Sequence, residues 1–105
     1  MHGAIAYNPT SHRVAHSYKL TTKEDAQARA LQEAGHGSRL VVSVSNGYGA
    51  LAIGSNGVVA GGGGSSSSDA QLNAFNACAS AGGTNCKIAC CISSDQGIVP
   101  VTYRP

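Results

Sequence analysis

The residues of this chain with most chemistry to offer are four cysteines and four histidines. All four cysteines, Cys78, Cys86, Cys90 and Cys91, fall within fourteen residues. An even count in a small chain points to disulfides. The rival is a metal site. Cys78-x7-Cys86-x3-Cys90-Cys91 lacks the paired C-x-x-C spacing of zinc knuckles. Neighbours such as Cys90 and Cys91 also point to opposite faces of a strand, which suits a shared ion poorly. The spacing favours disulfides.

Among the histidines, His12 and His16 are four residues apart. On a strand they share a face, and two imidazoles there could hold a metal. No third ligand stands nearby, and His2 approaches only if a hairpin brings it in. Two surface histidines beside a turn explain the pair without chemistry. His36 lies between Gly35 and Gly37, where a helix C-terminus attracts positive charge. A Cys–His nucleophile built on Cys90 or Cys91 has no local signature, and an oxidising compartment would consume its free thiol. Of the five carboxylates, Glu24, Asp25, Glu33 and Asp69 belong to helices and only Asp95 does not. A two-carboxylate hydrolase has little to work with. Ser65 to Ser68 carries no G-x-S-x-G elbow. No catalytic residue, metal ligand or cofactor is assigned from these residues.

Composition bounds the remaining choices. The 105 residues make one domain of common size, expected to span 1–105. Charged residues are 11% of the chain, under half the usual ~25%. A surface so poor in charge is more typical of exported proteins. The seven Lys and Arg are scattered and the net charge is +2, so the basic stripe of a nucleic-acid binder is missing. No apolar run approaches the ~20 residues of a membrane span. An h-region is missing too, and Met1 is read as standing in for a removed leader.

The elements read as one plan written twice. Ala4–Tyr7 and Val14–Tyr18 form a hairpin around Asn8-Pro9-Thr10-Ser11. Thr22 caps a helix with Asp25 at the capping position. Its stripe of Ala26, Ala30, Leu31 and Ala34 buries one narrow face, and Gly35 and Gly37 end it. Leu40–Val44 is a β-branched strand. From residue 49 the parts return. Gly49-Ala50-Leu51-Ala52 restates Gly3-Ala4-Ile5-Ala6, and Asn56-Gly57 is a strong hairpin signal. Ser68 is placed as the second cap with Gln71 at its capping-box position, and Lys87-Ile88-Ala89 opens the next strand. Gln96-Gly97 turns into a last strand, Ile98–Tyr103, where Pro100 implies an edge.

Two ββαβ units are therefore expected, 3–48 and 49–105, since one hairpin and one helix cannot bury their own apolar face. The expected fold is α+β: an antiparallel sheet with both helices on one face. Gly61–Ser68, four glycines then four serines, reads as a flexible surface loop rather than a domain linker. It lacks the endings of a phosphate-binding loop.

Several of these stretches together resemble a known family. They are Gly3-Ala4-Ile5-Ala6-Tyr7 with Pro9, the helix start Asp25-Ala26-Gln27-Ala28, Arg39-Leu40-Val41-Val42, and Asn46-Gly47-Tyr48-Gly49-Ala50-Leu51-Ala52. They resemble the domain of unknown function 4189 family, small exported bacterial domains, over nearly the whole chain. The resemblance implies secretion or a periplasmic location, disulfides and a compact domain. It supplies no catalytic set. Members often carry cysteines where this chain has Ala34, Ser38 and Tyr48. The second copy keeps the helix-to-strand pair, so the resemblance implies a Cys78–Cys86 bridge. Cys90 and Cys91 stay unassigned, and a vicinal disulfide is one option. Plain alternation puts Cys86, Ile88, Cys90 and Ile92 on one face, which leaves Cys78–Cys90 as a competitor.

A stapled exported domain without a reaction centre suits binding to another protein. The expected roles are a secreted effector acting on a host factor or, as the alternative, an immunity protein blocking a bacterial toxin. A small His/Cys hydrolase is the third reading. The candidate contact surface is the Asn8–Arg13 turn, with His12 and Arg13, together with Tyr48, Gly63 and Ser65 of the glycine–serine run.

Overall fold

Both hairpins form where turn chemistry and apolar runs place them. A computed structural model describes residues 1–103. The first hairpin pairs β1 (His2–Asn8) with β2 (Arg13–Leu20), and the helix α1 (Lys23–Ala34) follows. Thr22 caps α1, its side chain accepting from the Asp25 backbone N–H at 3.1 Å. Gly35 ends it at φ 97°, a left-handed angle that glycine adopts without strain. β3 (Arg39–Ser45) returns along the other side of β1. Asn46 and Gly47 then carry the chain into β4 (Tyr48–Ile53), β5 (Val59–Gly64), α2 (Ser67–Ser80), β6 (Lys87–Ser93) and β7 (Gly97–Ile98).

The fold is α+β, with two antiparallel sheets rather than the single one expected. Their strand orders are β2-β1-β3 and β5-β4-β6-β7. The helices do not share a face either. Ala4, Ala6 and Ala15 pack on Ala26, Ala30 and Ala34 of α1. On the other side of the molecule, Ala50 and Ala52 pack on Ala70, Ala74 and Cys78 of α2. Between the sheets lie Ile5, Tyr7, Val42, Val44, Leu51 and Ile92. The layers run helix, sheet, sheet, helix. The reason is in the alternation itself. β1 and β4 are apolar at every position along Ala4–Tyr7 and Ala50–Ala52, and all these residues are buried. One sheet with helices on one side would leave Ile5, Tyr7 and Leu51 in water. Burial is worth about 1.5–3 kcal/mol for each such side chain, so a second sheet covers them.

The glycine run is structure, not a loop. Gly61–Gly64 are strand residues of β5, paired with Leu51, Ala50, Gly49 and Tyr48 in register. Ser66 caps α2, accepting from Asp69 N–H at 3.1 Å, so the cap lies two residues before the Ser68 cap read from the sequence. Gly62 and Gly64 are there because α2 lies against the strand backbone, and Gly61 because Val41 and Val42 of β3 fill the space of its side chain. A Cβ on Gly62 would stand 2.3 Å from Ala74 N and 2.7 Å from Asn73 C. Glycine is ordinarily a poor strand residue because it adds no packing. Here the missing side chain is what admits the helix. The last strand is also shorter than expected. β7 stops at Ile98, because Pro100 has no N–H to continue a ladder. Residues 100 to 103 are held by Gln71 instead: its Oε1 accepts from Thr102 N–H and Tyr103 N–H at 2.8 Å, and its Nε2 donates to Pro100 O.

One bulge decides which way the cysteines face. Leu51 pairs with Cys90, yet Ala52 pairs with Ile88, so Ala89 is extra in β6. The same irregularity occurs in the first sheet, where Ile5 pairs with Val42 and Ala6 with Leu40. Each bulge reverses the parity of the strand beyond it.

The close approach at β5 gives a direct test. Gly62→Ala should cost about 1–3 kcal/mol, the usual penalty for forcing a group into a packed interior. Gly63→Ala should be near neutral, because its Cβ would meet only Tyr48 O, at 3.6 Å. Chemical denaturation of both variants checks this. Equal stabilities would return the run to a loop.

Candidate functional site

The cysteines divide into a staple and two free thiols, one half-buried and one buried. Cys78, near the end of α2, is joined by a disulfide to Cys86, just before β6, with Cα atoms 6.3 Å apart. Both are buried, so the bridge ties helix to sheet inside the core. Cys90 and Cys91 are free. The bulge at Ala89 corrects the facing expected from plain alternation. Cys91 joins Cys78 and Cys86 on the α2 side, while Cys90 packs between the sheets with Leu51 and Ile92. Cys90 is thus on the wrong face to bridge Cys78. Burial pushes the Cys90 thiol up to about 12, and the neighbouring Cys91 adds to this against a weaker bond from the Leu51 backbone. Burial raises Cys91 too, partly offset by Gln71. Neither thiol is held as the thiolate a nucleophile requires.

The histidines are dispersed. His12 is not on a strand with His16; it sits in the turn at φ 59°, exposed, with Nδ1 2.9 Å from the buried Tyr7 hydroxyl. His16 lies on β2, its ring 5.8 Å from that of Tyr18. His2 Nδ1 pairs with Ser45 Oγ at 2.8 Å. His36 is exposed beyond α1, and its carbonyl accepts from Asn8. Among the described residues no three His, Cys, Asp or Glu side chains converge as metal ligands would.

The proposed contact residues fall into two groups at opposite ends of the sheets. Tyr48, Gly63 and Ser65 lie at the end where β3 crosses into β4, next to His2. The Asn8–Arg13 turn lies at the far end of β1, about 20 Å away for six residues of strand. At its own end each group has a defined state. Tyr48 is half-buried against the α2 core, while Gly63 and Ser65 are exposed. His12 and Arg13 are exposed, whereas Asn8 is buried.

Asn8 instead pins the tip. Its Nδ2 donates to Ala34 O at 3.1 Å, a carbonyl that α1 leaves unpaired at its end, and to His36 O at 2.9 Å just beyond it. Its Oδ1 accepts from Thr10 N–H and Ser11 N–H. Asn56 makes a similar clamp in the second hairpin, donating to Gly82 O and accepting from Thr84 N–H. Neither clamp, nor the Gln71 anchor, stands out in the sequence, because the partners lie 26 to 32 residues away. Beyond the tips, an open cleft of about 640 Å³ is lined by Ile53, Gly54, Ser55, Asn85, Lys87 and Ala89. Lys87 is its single ionisable group, so it holds no acid–base pair. Among the described residues no helix is long and apolar enough to cross a membrane.

Two outcomes are expected. Asn8→Ala should lose about 2–3 kcal/mol, because buried donors and acceptors are left unmade; Asn8→Asp, which keeps the acceptor, should lose less. Equilibrium denaturation measures both. For Cys90 the folded thiol has the higher pKa, so its contribution is full below about 8.5, the unfolded value. It is lost as pH rises from there toward about 12. Unfolding free energy should fall over that window by up to about 1.4 kcal/mol per unit, and Cys90→Ala should flatten the fall. An unchanged slope in that variant would show that other groups carry it.

The family model described as "Domain of unknown function (DUF4189)" matches residues 2–92, from the start of β1 almost to the end of β6. No curated protein and no solved structure matches the chain. The match takes in both helices, the Asn8 and Asn56 clamps and the Cys78–Cys86 bridge. The chain belongs to the DUF4189 family.

Proposed function

We propose that this chain is an exported bacterial protein-interaction domain, secreted or periplasmic, that binds another protein through its first hairpin tip. The observation that carries the reading is the pinned tip. Asn8 fixes Thr10 and Ser11 from beneath, and Tyr7 holds the His12 ring, while His12 and Arg13 face water. Rigid, exposed groups lose little entropy on binding. The buried disulfide supports export, since such bonds persist in oxidising compartments. We read 1–105 as one domain in which 3–48 and 49–105 are two versions of one unit. The paired bulges and paired asparagine clamps support that reading. A secreted effector and a toxin inhibitor would both use such a tip, and the identity of the captured protein separates them.

A photo-crosslinking residue placed at His12 or Arg13, in protein exported to its oxidising compartment, tests the proposal. The expected result is a discrete protein adduct from both positions and none from Ser80, an exposed residue at the end of α2. Identical adducts from all three positions, or none from the tip, would overturn it.

A further inference from the structure

The chain after β7 lies on the domain as a bound peptide would. β7 ends at Ile98, and one more ladder bond follows, from Val99 N–H to Cys91 O at 2.9 Å. Pro100 then stops the ladder. From there exposure alternates. Val99, Val101 and Tyr103 are half-buried, while Pro100 and Thr102 are exposed. That alternation belongs to an extended segment with one side against the protein.

The hold on this segment is concentrated in one side chain. Gln71 of α2 is fully buried. Its Nε2 donates to Pro100 O at 3.2 Å, and its Oε1 accepts from Thr102 N–H and Tyr103 N–H at 2.8 Å. Among the described residues no other hydrogen bond holds 100–103. All three partners of Gln71 are main-chain groups, which every extended peptide carries. One turn further along α2, the Phe75 ring meets the Tyr103 ring with centroids 5.1 Å apart. Val99 packs on the α2 core, where the Cys91 thiol lies 1% exposed and within reach of Gln71. Past Phe75 an open pocket of about 400 Å³ continues between Ala79, Gly83, Asn85 and Cys86. Gln71, Phe75 and Cys91 all fall within the family match of 2–92, and the segment lying on them falls outside it.

We propose that residues 99–103 are a strap that opens as one unit from a folded domain, and that the seat beneath it takes an extended peptide of a partner protein. The strap itself defines the peptide that fits. A carbonyl and two consecutive N–H groups, two and three residues later, meet the Gln71 amide. Apolar side chains at alternate positions face the α2 core, and an aromatic ring lies on Phe75. Main-chain bonds supply affinity and the side-chain seats supply specificity, as at other sites for extended peptides. Opening the strap breaks few bonds, whereas the central strands open only with the whole domain.

Hydrogen exchange and thiol labelling of the intact oxidised chain test this. The Thr102 and Tyr103 amides should exchange together, at least about tenfold faster than those of β4, as a locally opening segment does. Tyr103→Ala removes the ring contact and should speed iodoacetamide labelling of Cys91 about tenfold. The blocked peptide Ile98–Tyr103, added in excess, should restore protection of Cys91 in that variant. It should give none in Gln71→Ala, which lacks the amide that reads the peptide. Circular dichroism checks that each variant is folded, and Tyr103→Ala carries the test if Gln71→Ala is not. Strap amides that exchange no faster than β4 overturn the proposal, as does a peptide that leaves Cys91 labelling of Tyr103→Ala unchanged. Cys91 protection that rises with protein concentration overturns it too, because the seat would then hold the tail of a second copy.

Discussion

Burial of the two central strands on both faces is the constraint from which the rest of the structure follows. β1 and β4 each present small residues to one side and large ones to the other. The small side, Ala4, Ala6, Ala50 and Ala52, admits a helix at close range. The large side, Ile5, Tyr7 and Leu51, requires a partner sheet. Each half supplies a sheet whose larger residues have no cover of their own, so the halves close on one another. The order helix, sheet, sheet, helix follows without any linker or further element.

Close approach then dictates the less ordinary residues. Gly62 and Gly64 stand in a strand because the α2 backbone occupies the space of a side chain, and Gly61 because Val41 and Val42 of β3 occupy it. Alanine stripes on both helices serve the same end. Helices drawn so tightly onto sheets bring their C-terminal carbonyls near the hairpin turns, where Asn8 and Asn56 bond to them. The disulfide works at the same place in the second half, tying the end of α2 to β6. The turns are thereby held to the helix ends.

The free thiols show how a single extra residue changes the chemistry available. Without the bulge at Ala89, Cys90 would share the α2 face with Cys86 and Ile88, and the staple would have had two possible partners. With it, Cys90 lies between the sheets beside Leu51 and Ile92, and Cys91 takes its place against α2. Both thiols are kept protonated by burial. They fill space as small apolar side chains do, which is why an even count of four yields one bridge rather than two.

By itself the sequence determined the elements whose causes are local. The Thr22 cap, the alanine stripe of α1, the Gly35 stop and the Asn56–Gly57 turn each act over a few residues, and each can be read directly. The α+β class follows from their order. Tertiary structure alone decided three things. It set two sheets instead of one, since alternation marks two apolar faces but not what covers the second. It turned Gly61–Gly64 into strand, since only the neighbouring helix and β3 give the missing side chains of Gly61, Gly62 and Gly64 a purpose. And it set the facing of Cys90 and the burial of Asn8 and Gln71, since a bulge and bonds across 26 to 32 residues are properties of register and packing. Local chemistry acts along the chain and is written there, whereas the fit between distant surfaces exists only once they meet.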